Sequence, residues 1–403
     1  MRINVIDAGC GVGKTTALIN KINKDNTPTK YLFITPFLSE VQRIIRSCKS
    51  KNFIDPQEKG STKYKNIVAL IDEGRNIVTT HALFQKFTDE LIEKIRLGGY
   101  ILIMDEVADI VEEINISKSD LKLISDRCVS VDPMTHIVKW VDKRYDGKLN
   151  HYKNLIDKGN VFAYTSTKGT IITLVWLFPH KVLKAFREVY IATYMFDGQI
   201  QKKYLELFDI QYVYIYVKNY ELTYTPQIYD YSKQKALINV CMSDKLNEVG
   251  NDKTALSKAW FERKSNQNAI EQLRKNTYNF FRNYTRTKGE ELMWTTFKPF
   301  RNKLQNKGYT KSFASINCRA TNMYQNKKAV AYLANRYFKP TIKNFFTINR
   351  INANQTFEDR FALSELVQFI YRSAIRNNKP IDVYIPSKRM RDLFTSWLKE
   401  KNK

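Results

Sequence analysis

Cysteine is sparse and scattered. Cys10, Cys48, Cys128, Cys241 and Cys318 include no Cys-x-x-Cys pair, which argues against a zinc site and a disulfide framework and fits a reducing compartment. The four histidines form no ligand cluster either. Glycine and proline are also few, 14 and 10 in 403 residues, and with 43% hydrophobic residues the chain is expected to fold rather than to remain a low-complexity polymer. Long apolar runs are missing. The best candidate, Ile171 to Phe178, is too short to cross a bilayer and contains Thr173. Met1 to Asn4 run straight into a strand, which is expected to leave no room for a signal peptide. The expectation is a soluble, cytoplasmic protein with no membrane partner.

Negative charge is in short supply as well. Lys and Arg number 66 against 40 Asp and Glu, a formal charge of +26. Such an excess can reflect lysine-rich solubility in an AT-rich coding background, but it also provides the footprint of a polyanion partner, and nucleic acid is the expected one. The length exceeds one usual hydrophobic core, so two domains are expected.

What is present centres on Asp7-Ala8-Gly9-Cys10-Gly11-Val12-Gly13-Lys14-Thr15-Thr16. Small residues allow the backbone to curl with its N–H groups inward, Lys14 carries a mobile charge for terminal phosphates, and the Thr15 hydroxyl can hold Mg²⁺. Ile3 to Ile6 read as a buried strand before this loop, and Thr16 to Ile22 as an amphipathic helix after it. The strict phosphate-loop pattern begins with Gly, where this chain has Ala8. Residues Ala8 to Thr16 are thus the expected ATP cradle.

Further strands are expected at Tyr31–Ile34, Asn76–Thr79, Tyr100–Met104, Gly169–Leu174 and Val189–Thr193, with Ser39 capping a helix and Phe84, Phe87 and Leu91 on one side of another. Residues 48–65 read as polar and irregular. Alternation of strand and helix up to about residue 200 predicts an α/β layer with ligands at the carboxyl ends of its strands. The organisation expected is 1–210 as an ATP-binding domain and 211–403 as a second α/β domain with strands at 292–296, 313–317 and 383–385. A helical face through Ile270, Leu273, Phe280 and Phe281 is expected ahead of these strands, and 218–268 is unassigned.

Tyr100–Met104 ends in Asp105-Glu106, two carboxylates where a buried strand meets a crevice. Phosphoryl transfer needs a phosphate cradle, a metal ligand, a group that orients water and a cation for the departing charge. Lys14 and Thr15 suit the cradle, Thr15 and Asp105 the metal, and Glu106 the water.

In order along the chain, Ala8-x-x-Gly11-x-Gly13-Lys14-Thr15, Thr35-Pro36, Thr79-Thr80-His81 and Asp105-Glu106-Val107-Ala108 resemble motifs I, Ia, Ic and II of superfamily 2 helicases, with bacteriophage-encoded members expected as the nearest relatives. Ala192-Thr193 is similar in placement to motif III and Arg319-Ala320-Thr321-Asn322 to motif V. Gln368 to Arg376 resembles motif VI, with Tyr371 where the family has Gly and Arg376 one place late. The resemblance implies two RecA-like domains with parallel sheets and ATP in the cleft between them. It also implies catalytic roles for Lys14, Glu106, Gln368, Arg372 and Arg376, with Arg372 as the finger. Thr35, Pro36, Thr80, Arg319 and Thr321 would touch nucleic acid, and Ala192 and Thr193 would couple the two sites. With Ala108 closing motif II and no adenine-reading motif before the first strand, no base selectivity is implied.

The reading that follows is an ATP- and Mg²⁺-dependent helicase or translocase. DNA, single-stranded or duplex, is favoured over RNA, and replication proteins are expected partners in the host cytoplasm of a phage. A terminase-type packaging ATPase and a non-hydrolysing scaffold that binds ATP and DNA are the alternatives. The first needs a nuclease domain of converging acids, whereas Asp359, Glu365 and Asp382 are isolated in sequence.

Overall fold

In the computed structural model, which describes residues 2–58, 62–106, 110–316 and 323–400, most of the buried apolar runs fall in two separate, largely parallel sheets. The strands in chain order begin with β1 (Arg2–Asp7), β2 (Tyr31–Thr35), β3 (Phe53–Ile54), β4 (Asn76–Thr80) and β5 (Ile101–Asp105). After them come β6 (Val111–Glu113), β7 (Val129–Val131), β8 (Val138–Trp140), β9 (Val161–Thr165), β10 (Ile171–Leu177) and β11 (Glu188–Thr193). The last are β12 (Tyr212–Lys218), β13 (Glu221–Thr223), β14 (Ile238–Val240), β15 (Leu292–Thr295), β16 (Ala329–Tyr332) and β17 (Ile381–Tyr384).

The first sheet has the order β13-β12-β1-β11-β5-β2-β4-β3. Its pairings are parallel except for the β12–β13 hairpin. Strands such as β2 and β5 are buried along their whole length, as helices on both faces of a parallel sheet require. The second sheet, β14-β17-β16-β15, is parallel throughout. The α/β class with two parallel sheets is therefore as expected. By sheet membership the first unit runs past residue 210, because β12 pairs with β1 and β13 follows it. We propose the junction between Thr223 and Ile238.

Several expectations need correction. The strand near Ile171–Leu177 does not continue the main sheet: β10 pairs antiparallel with β6 and β9 in a three-stranded sheet, next to the β7–β8 ribbon, as an insertion between β5 and β11. Its apolar run is shared between two cores: Leu174 lies with Ile124, Trp140 and Ile156 in a small core of the insertion, whereas Val175 and Leu177 belong to the larger cluster built on the first sheet. The strand expected at 313–317 reduces to a single bridge between Phe313 and Trp294, and Asn317 lies outside the described residues. Phe37, not Ser39, is the cap of the helix α2 (Leu38–Ser47), and Ser39 lies within its first turn. Phe84 and Leu91 fall on two consecutive short helices, His81–Phe84 and Asp89–Gly98, with Phe87 between them. Residues 48–65 hold β3 and the start of the helix Lys63–Asp72, and 218–268 hold the β12–β13 turn, β14 and several short helices.

Apolar packing joins the units in two places. The helix Gln355–Ile370 packs against the turn Phe196–Gly198, where a Cβ on Gly198 would come within 2.7 Å of the Arg360 carbonyl carbon, so that only glycine permits the approach. Phe338, Ile342, Phe345, Phe346, Phe357 and Phe361 belong to the same buried cluster as Phe178 and Phe196 of the first unit.

Candidate active site

The carboxyl ends of the parallel strands supply the site. β1 ends at Asp7, whose buried carboxylate accepts a hydrogen bond from the Phe196 N–H at 2.9 Å; burial pushes this carboxyl above its ordinary range, opposed by that N–H and by the charge of Lys14. The loop then turns through Gly13, at φ 91, into the helix α1 (Lys14–Lys24). The first turn of α1 contains no acidic residue, so its exposed N–H groups and dipole keep their attraction for an anion. Lys14 Nζ lies over the loop and donates to the carbonyls of Ala8 at 2.6 Å and Gly9 at 3.0 Å.

Thr15 Oγ1 donates to both carboxylate oxygens of Asp105, at 3.0 and 3.1 Å. The β1-to-α1 loop and the end of β5 are thereby brought together although 90 residues separate them. Asp105 is buried, and desolvation together with the neighbouring Glu106 charge pushes its carboxyl up to about 6, against the Thr15 hydrogen bond and the charges of Arg43 and Lys14. Glu106 adopts φ 72, in the left-handed region that a residue with a side chain rarely enters, and its N–H donates to the Ala192 carbonyl at 2.9 Å. That hydrogen bond ties the Glu106 backbone to the end of β11. Thr193, next along, accepts from the Ala8 N–H at 3.2 Å.

The second unit closes the site. Arg372 sits in the turn just past the helix Gln355–Ile370, is 6% exposed, and brings Nη2 to 3.3 Å from Glu106 Oε1. Its Nε is buried without a hydrogen-bond partner among the described residues, so the guanidinium holds donor capacity in reserve. Arg376 is exposed, in the short turn of helix Ala374–Asn377. A cavity of about 410 Å³ is lined by Lys14, Thr15, Thr16, Asp105, Glu106, Ala192 and Thr193 from the first unit and by Gln368, Tyr371, Arg372 and Arg376 from the second. Cys10, Gly11 and Gly13 line it as well, whereas Ala8 and Gly9 face a neighbouring cavity with Asp7 and Tyr231. Val12 is packed against the core on one face of the first sheet.

The residues expected at nucleic acid lie elsewhere. Thr35 and Thr80 are register partners at the carboxyl ends of β2 and β4, with Pro36 directly after the first. The Thr35 hydroxyl is buried and unpartnered among the described residues, and none of the three lines the cavity. Arg319 and Thr321, like Val107 and Ala108, lie outside the described residues.

Several lining groups escape a reading of the sequence. Arg43 reaches Glu40 at 2.6 Å and lies 3.9 Å from Asp105, and the i,i+3 spacing of the pair on α2 is the only local signal for it. Tyr231 accepts from the Gly9 N–H at 2.7 Å, and its ring approaches so closely that a Cβ on Gly9 would come within 2.5 Å. No spacing rule points to that tyrosine. Among the described residues there is no group of three or more His, Cys, Asp or Glu side chains suited to a metal ion, and no helix is long and apolar enough to cross a membrane. The Thr15–Asp105 pair and the unspent Arg372 donor nevertheless suit a magnesium-bound triphosphate, in which the phosphate oxygens complete the metal's ligands.

Residues 232–398 match the description "YonV C-terminal Rossmann-like domain", and residues 111–176 match "YonV middle domain". The second match coincides with the antiparallel insertion. The chain is 38% identical over 417 aligned positions to "SPbeta prophage-derived uncharacterized protein YonV" of Bacillus subtilis (strain 168), covering 98% of each chain. The solved structure titled "XPD_APO" superposes at a TM-score of 0.52 with 13% identity, covering 98% of this chain and 95% of that one.

Proposed function

Because this chain belongs to the YonV family and has a superfamily 2 helicase fold, we propose that it is an ATP-driven helicase or translocase, acting on DNA in phage replication or recombination. One observation carries the reading: Arg372 of the second unit lies 3.3 Å from Glu106 of the first across a cavity floored by the phosphate loop. A site that only binds nucleotide has no need of a buried arginine from another unit at that carboxylate. The prophage relative favours phage DNA as the substrate.

In this reading the α1 N-terminus and Lys14 hold the phosphates, and Thr15 and Asp105 hold Mg²⁺, which when bound neutralises phosphate oxygens. Glu106 orients the attacking water and accepts its proton. Arg372 turns its spare donors to the γ-phosphoryl oxygens, with Gln368 and Arg376 beside it. Ala192 and Thr193, hydrogen-bonded to Glu106 and to the loop, transmit the state of the site to the strand ends, where Thr35, Pro36 and Thr80 meet backbone phosphates. Arg319 and Thr321 are proposed to act there too. The excess of basic residues makes counterion release the main source of affinity, so binding should weaken steeply with salt and vary little with sequence.

Steady-state ATP turnover with and without single-stranded DNA tests the reading. Turnover should require Mg²⁺ and rise with DNA, Lys14→Ala should abolish it, and Glu106→Gln should block it while ATP still binds. An unmutated rate in Glu106→Gln would remove the water-orienting role.

A further inference from the structure

The cavity contains one exposed aromatic ring that phosphoryl transfer does not explain. Tyr220 is 57% exposed and lines the cavity beside Gly13, Lys14, Thr15 and Thr16. It stands at the tip of the β12–β13 hairpin, whose two-residue turn, Asn219-Tyr220, has φ of 51 and 61. Positive φ at both places is the signature of a type I′ turn, which favours Asn-Gly. The chain has the asparagine but carries a bulky aromatic where glycine is the unstrained choice, and strain of this kind gathers at functional sites.

The hairpin is anchored without the ring. Asn20 of α1 donates to the Tyr220 carbonyl at 2.9 Å, and Lys24 pairs with Glu221. These contacts aim the tyrosine over the start of α1, close enough that a Cβ on Gly13 would come within 2.5 Å of the ring. Sheet order gives the direction. β5, with Asp105 and Glu106, lies to one side of β1 across β11, and β12 and β13 lie on the other. A triphosphate with its terminal phosphate at the carboxylates extends its nucleoside end across α1 towards the hairpin.

We propose that Tyr220 is the platform on which the nucleotide base stacks. This rests on the nucleotide reading of the cavity and adds the ligand class: nucleoside triphosphates without strong base preference, since a π face is common to every base and stacking reads no edge. Base stacking on one aromatic side chain is worth roughly a tenfold to hundredfold change in affinity.

The test compares dissociation constants for Mg²⁺-ATP, Mg²⁺-GTP and Mg²⁺-tripolyphosphate in the full chain and in Tyr220→Phe, Tyr220→Gly and Lys14→Ala. Tyr220→Gly relieves the turn and should melt no lower than the unmutated protein, yet bind ATP and GTP roughly tenfold to hundredfold more weakly, by the same factor for each, with tripolyphosphate unchanged. Tyr220→Phe should bind all three normally, and Lys14→Ala should lose all three. Unaltered ATP affinity in Tyr220→Gly overturns the proposal, and so does an equal loss for tripolyphosphate, which would make the ring a prop for the loop. Loss confined to ATP would overturn the lack of base preference. Failure of the unmutated protein to bind any of the three overturns the nucleotide reading itself, and the platform with it.

Discussion

The two junctions between the units differ in chemistry as much as in place. At the cavity the contact is polar and sparse, an Arg372–Glu106 pair at 3.3 Å with a guanidinium nitrogen that has no partner among the described residues. On the side of the insertion it is apolar and broad, with Phe345 edge-on to Phe162 at 5.9 Å and Phe338, Phe357 and Phe361 in one cluster with the first sheet's core. Apolar burial is non-directional and indifferent to ligands, whereas a charged hydrogen bond can exchange partners. One helix serves both: Gln355–Ile370 begins with Phe357 and Phe361 in the apolar junction, continues with Leu366, Val367, Phe369 and Ile370 in the second sheet's core, and ends just before Arg372. The apolar end suits a pivot and the polar end a contact that forms and breaks with the state of the nucleotide, a shift between two populated arrangements.

Breaking the polar junction should have the largest effect. Arg372→Ala is expected to lower ATP turnover by roughly 10³ to 10⁵ with little change in ATP affinity or thermal stability, and to abolish stimulation by nucleic acid. Single-turnover kinetics beside equilibrium nucleotide binding separates these quantities. The exposed Arg376 should give a milder loss as Arg376→Ala. A normal stimulated rate in Arg372→Ala would mean that the polar junction is merely a resting contact.

The apolar junction should respond in the opposite sense. Phe345 is fully buried, and Phe345→Ala is expected to cost about 3–5 kcal/mol of stability, read from urea unfolding, while chemistry per folded molecule changes far less. If turnover fell as far as in Arg372→Ala with stability intact, the pivot would be in the wrong place. The smallest effect is expected from the rim. Arg360 and Asp197, 3.5 Å apart with side chains 53% and 45% exposed, bridge the units in solvent, and Arg360→Ala should cost no more than about 1 kcal/mol in the same unfolding measurement. A larger loss would show that the apolar seam is not what holds this side together.

The parts legible in the sequence are those whose chemistry is local. Strand, small-residue loop, Lys14 and Thr15 are contiguous, and Asp105-Glu106 follows a run too apolar to be anything but a buried strand, so both features could be read without knowing their partners. The insertion could not. Ile171–Leu177 is as apolar as a parallel strand, and periodicity says nothing of which strand lies alongside; here the partners are antiparallel. β14, Ile238-Asn239-Val240, is interrupted by a polar residue, and β16, Ala329-Val330-Ala331-Tyr332, is half alanine, so neither shows the run of large apolar residues that marks β15. Glu40 and Arg43 reach the cavity from a helix flank, and Tyr220 and Tyr231 reach the loop from a hairpin tip and an irregular segment, all through tertiary approach alone. The proximity of Arg372 to Glu106 depends on how the units pack, which no window of residues encodes.

The position of β11 has a consequence for the way the chain is made. β1 is flanked by β11 and β12, with Arg2 opposite Glu188 and Ile3 opposite Tyr212, and β5 is joined to β1 only through β11. During synthesis β9 and β10 can pair as soon as they emerge, since they are near neighbours in the chain. The phosphate-loop strand must wait with both edges unpaired until the whole insertion has passed. Contacts of such long sequence separation are slow to close, and exposed strand edges invite pairing with other chains. β1 is thus made long before it is secured, and premature termination anywhere before Thr193 leaves a nascent chain prone to aggregate.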